Sequence, residues 1–170
     1  MDQNLINLLI ALLALLVSFY CFYLIADLRK KSASKSGSEQ FSTRPLQLQA
    51  YERLVMLTER ISIPTLVSRA NQPGFGGRDM QMLLLESIKQ EYEYNASQQI
   101  YVSPVAWEAV RNLKEQNMLI INQVAATLPP DATGFDLNKR LLDFVMTQKK
   151  GALHGIVLEA LNYEAKKIMK

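Results

Sequence analysis

Cysteine and histidine are nearly missing from this chain, with Cys21 and His154 the only examples. One thiol forms no disulfide framework within a chain, and one thiol with one imidazole falls short of a four-ligand zinc site. Carboxylate-bridged metal centres in helical bundles need Glu-x-x-His pairs on facing helices, and these too are lacking. Glu86, Glu91 and Glu93 therefore read as one solvated face, and His154 beside Gly155 as a surface or packing residue with no triad around it. An excess of one charge is also absent from most of the chain. Lys plus Arg is 19 against 16 for Asp plus Glu, and setting aside Asp2, Asp27, Arg29, Lys30, Lys31 and Lys35 leaves 15 against 14. That near-neutrality argues against a nucleic-acid surface, and the pI near 9.0 reports only the basic cluster at residues 29–35. No metal, cofactor or nucleic acid is expected.

What the chain does have is one long apolar run. Leu5 to Ala26 is broken only by Asn7 and Ser18. As a helix rising about 1.5 Å per residue it would reach roughly 33 Å, the thickness of a hydrocarbon core. The start, Met1-Asp2-Gln3-Asn4, lacks the positive segment of a cleavable secretory signal. The expectation is a transmembrane anchor over residues 1–31, crossing an inner membrane once. Tyr20 and Tyr23 would sit at the headgroup level, with Arg29, Lys30, Lys31 and Lys35 against lipid phosphates. The basic residues follow the span, which predicts an outside N-terminus and a cytoplasmic C-terminal domain. The bilayer is then the first expected partner.

Residues 32–44 are rich in serine and read as a flexible tether, and residues 45–170 as one helical domain. Ala50, Leu54, Leu57 and Ile61 recur at four-three-four spacing, the signature of a helix seam, up to about Ser62. Pro64 marks a break, with Leu66 and Val67 in a short turn. Asn71 to Gly77 is the strongest turn signal, with Asp79 as the cap of the helix behind it, whose face holds Leu84 and Ile88. Ile100 to Val102 favour extended backbone. Ser103-Pro104 restarts a helix, and Ala106, Val110, Leu113, Asn117, Ile120 and Val124 make its seam, with Trp107 and Ile121 beside it. Asn117 either fixes register between helices or sits hydrogen-bonded at a helix edge. Pro129-Pro130 ends that helix, and a fourth begins near Asp136 with Leu137, Leu141, Phe144 and Val145 on its face. Lys149-Lys150-Gly151 reads as a C-terminus, so Leu153 to Ile168 forms a fifth helix after a break at Gly151 or else continues the fourth as one bent rod, the break being preferred. The fold class expected is all-α: the anchor, the tether, then a compact bundle of four to five helices.

Two stretches stand out as candidate sites. Tyr92 to Tyr101 is dense in aromatics and amides, with Trp107 and Arg111 soon after, the residue types that interface centres favour. Tyr94, Tyr101, Trp107 and Arg111 are the candidate partner-binding residues, Tyr94 and Arg111 being the ones expected at the surface. Gly74, Gly76 and Gly77, followed by Arg78, would in an alternative reading present amides to an anion, but the Walker lysine and the preceding strand of a dinucleotide fingerprint are both missing.

Leu48-Gln49-Ala50-Tyr51-Glu52-Arg53-Leu54, together with Glu91-Tyr92-Glu93-Tyr94-Asn95-Ala96-Ser97-Gln98-Gln99-Ile100-Tyr101-Val102-Ser103 and Trp107, resembles an uncharacterised family of small single-span proteins from Bacteroidetes-type bacteria. That resemblance implies a bacterial inner membrane and supplies no activity, cofactor or catalytic residue. The leading expectation is a non-catalytic, anchored adaptor or accessory subunit with a protein partner. The alternatives are a nucleotide or phosphate sensor or enzyme using Gly74 to Arg78 with Glu91 and His154, and a homo-oligomeric membrane scaffold.

Overall fold

Seams spaced four and three apart become buried helix faces in the computed structural model, which describes residues 15–27, 43–70, 72–147 and 153–170. Two units are distinguished, Met1–Ser42 and Thr43–Lys170. In the first, helix α1 covers residues 15–27 and exposes Leu15, Phe19, Tyr20, Phe22 and Tyr23.

The expectation of a single-pass inner-membrane anchor is corrected here. Among the described residues no helix is long and apolar enough to cross a membrane. The lipid role read for Tyr20 and Tyr23 rested on that span. Arg29, Lys30, Lys31 and Lys35, nearly all of the tether, and Lys149-Lys150-Gly151 lie outside the described residues.

The second unit is all-α. Its elements are α2 (Arg44–Arg60), α3 (Ile63–Ala70), α4 (Gly77–Tyr94), a 3-10 turn (Ala96–Ile100), α5 (Pro104–Ala126), α6 (Gly134–Thr147) and α7 (Leu153–Met169). The short turn expected at Leu66 and Val67 is instead the two-turn helix α3. Pro64 falls at its second residue, where a proline costs no helix hydrogen bond, and Ile63, Leu66, Val67 and Ala70 are all buried. The extended stretch expected near Ile100 is the 3-10 turn, because backbone bonds from Gln98 to Asn95 and from Tyr101 to Gln98 close it tightly.

α2 packs most extensively on α7, while α4 lies against α5 and α6. Leu54, Leu57, Ile61, Leu84, Ile88, Leu113, Leu137, Leu141 and Leu161 are each no more than 1% exposed and make one core. Polar links fix how the helices meet. Asn117, buried in the α5 seam, donates from Nδ2 to the Ile61 carbonyl at 2.8 Å, satisfying an orphan acceptor at the end of α2. Ser103 caps α5 by accepting from the Ala106 N–H at 3.0 Å, and its hydroxyl donates to Glu164 Oε2 of α7 at 2.6 Å. The buried Tyr51 hydroxyl of α2 donates to the same carboxylate oxygen and accepts from the Ser103 N–H at 3.1 Å. One carboxylate thus joins α2, α5 and α7.

Two loops close the other end. Gly77 N–H donates to the Ala132 carbonyl and Gly134 N–H to the Phe75 carbonyl, each at 2.8 Å, making an isolated antiparallel bridge between Gly76 and Thr133. α6 begins at Gly134, earlier than Asp136, because Thr133 and Asp136 form a reciprocal cap. The Asp136 carboxylate accepts from the Thr133 N–H at 2.9 Å, and Asp136 N–H donates to Thr133 Oγ1 at 3.2 Å.

Candidate functional site

The C-terminal end of α4 meets the second half of α2 in a groove of about 320 Å³, lined by Gln49, Glu52, Arg53, Met56, Arg60 and Tyr94 among others. The geometry starts from Glu91, on the α4 face toward α2 and α3. Arg60 reaches it from the end of α2 with Nη1 3.1 Å from both carboxylate oxygens, and Arg69 reaches it from α3 with Nη2 2.9 Å from Oε1. Glu91 is 13% exposed in its side chain, whereas Arg60 and Arg69 are 50% and 48% exposed. The reading of Glu91 as part of a solvated face is therefore corrected: its carboxylate is the meeting point of three helices.

Burial raises the cost of charging Glu91, but the hydrogen bonds from Arg69 and then Arg60 outweigh it and hold the carboxyl below its ordinary value of 4.5. A depressed folded-state value means that this contribution to stability is complete above about pH 4.5 and is lost as pH falls through the lower folded value. Glu91→Gln should lower the melting temperature at pH 7, and the gap to the parent protein should narrow at pH 3. Thermal unfolding followed by circular dichroism at both pH values checks this; a gap that widens in acid would refute it.

Beside this ionic centre the groove carries large exposed side chains. Tyr94 is 73% exposed and Met56 51%. Just beyond, Ile100 and Val105 are exposed and Tyr101 stands at 38%. Asn95 holds the corner by donating from Nδ2 to the Glu91 carbonyl at 2.8 Å.

The sequence-derived candidates separate into two groups. Tyr94 and Tyr101 stand at the surface of this corner, while Trp107 is half-buried and packs on Tyr92 with ring centroids 5.1 Å apart at 33°, Lys114 Nζ lying 4.5 Å over the Tyr92 ring. Arg111 is exposed but paired with Glu108 at 2.6 Å on its own helix. Met56, Arg53 and Arg60 were not among the candidates. The contact of Arg60 with Glu91 spans 31 residues of sequence, which no local pattern encodes.

The glycine loop is differently employed. The Gly77 amide is taken by Ala132, and Gly74 supplies a positive φ of 87° for the turn. Asp79 is in the first turn of α4 rather than at its cap, which is Gly76, and so places a carboxylate where an anion would have to approach. His154 Nε2 lies 3.4 Å from Glu59 Oε2. No group of three or more His, Cys, Asp or Glu able to hold a metal occurs among the described residues.

Residues 3–168 match the family of unknown function DUF7935. No curated protein and no solved structure matches the chain.

Proposed function

We propose that this chain, which belongs to the family of unknown function DUF7935, is a non-catalytic helical adaptor that receives a partner protein at the groove between α2 and α4. The observation that carries this reading is Tyr94, 73% exposed at the rim of a concave surface together with Met56. Tyrosine and methionine offer large contact area on few or adaptable rotors, which is why both are enriched at protein interfaces. The walls around them are rigid, because Glu91 fixes Arg60 and Arg69, and Asn95 fixes the end of α4. Pre-ordered walls reduce the entropy lost on binding. The narrower likeness to a Bacteroidetes-type group would set the partner in a bacterial cell.

The test is a photo-reactive amino acid placed at Tyr94 in the full chain, with the exposed Lys139 of α6 as the comparison position. Irradiation in cells should give a discrete adduct from position 94 that position 139 does not give. Tyr94→Ala should weaken binding of the adducted protein by about tenfold or more, the usual cost of truncating a central aromatic, and leave the melting temperature unchanged. Indistinguishable adducts from the two positions would defeat the reading.

A further inference from the structure

We draw no further inference here: the strongest candidate, the mostly apolar cavity of about 140 Å³ where α3, α5, α6 and α7 converge around Ile63, Leu113, Phe144 and His154, carries nothing because nothing in the structure shows what covers it.

Discussion

Leu57→Ala should lower the free energy of unfolding by about 2–5 kcal/mol, while Met56→Ala, its immediate neighbour, should change it by no more than about 0.5 kcal/mol. Leu57 is fully buried on the α2 seam with Ala50, Leu54 and Ile61, whereas Met56 is 51% exposed one residue away. Truncating Leu57 removes the transfer energy of its buried carbons and leaves a cavity that close-packed helices fill only in part. Truncating Met56 empties no interior space, and alanine is the better helix former. Since a domain of this size is stable by only about 5–15 kcal/mol, Leu57→Ala takes a large share of the total. Urea unfolding of both variants measures the pair, and equal losses would mean that the α2 seam is wrongly placed. Met56→Ala has a second use, because a folded protein lacking that side chain should form less of the position-94 adduct.

The second large effect is expected at the paired loops. A Cβ at Gly134 would lie 3.1 Å from Met80 Cβ and 3.1 Å from the Phe75 carbonyl oxygen, and that carbonyl is also the acceptor of the Gly134 N–H. Neither neighbour retreats freely: Met80 is fully buried and the carbonyl belongs to the bridge between the loops. Gly134→Val, whose branched side chain adds bulk at once beyond the Cβ, should therefore destabilise by about 1–3 kcal/mol or more, the range for forcing extra carbons into a packed site. Gly155→Ala is the control of opposite sign. Gly155 is exposed in α7 with nothing within 4 Å of an added Cβ, so alanine there should stabilise by about 0.4–1 kcal/mol, chiefly by restricting the unfolded chain. Thermal unfolding of both variants decides it; a Gly134→Val protein as stable as the parent would show that the loops part at little cost.

Wherever burial repeats at a helical period, the sequence already discloses the fold. Ala50, Leu54, Leu57 and Ile61 are buried as their spacing requires, and so are Ala106, Val110, Leu113, Asn117 and Val124. The one exchange on α5 is Ile121 buried in place of Ile120, a rotation of the seam by one residue that both spacings allow. α3 was hidden because eight residues give too few turns for a period to declare itself, and because Pro64 looks like a break when it is a beginning. The early start of α6 was legible in Thr133 and Asp136, three residues apart, a capping pair that periodicity does not register. The groove was half visible. Tyr94 announces itself by composition, but Glu91 meeting Arg60 and Arg69 is a product of tertiary packing across 31 and 22 residues, and no local pattern encodes it. The apolar run at residues 5–26 invites a span by hydropathy, but among the described residues no helix is long and apolar enough to cross a membrane.

The carboxylate that joins three helices also sets an order of events during synthesis. Tyr51 and Glu164 are 113 residues apart, so at roughly 5–20 residues per second a ribosome needs about 6–23 s between making the first and reaching the second. Through that interval α2 lacks the helix it packs on most, and its seam at Leu54 and Leu57 must rely on the helices made before α7.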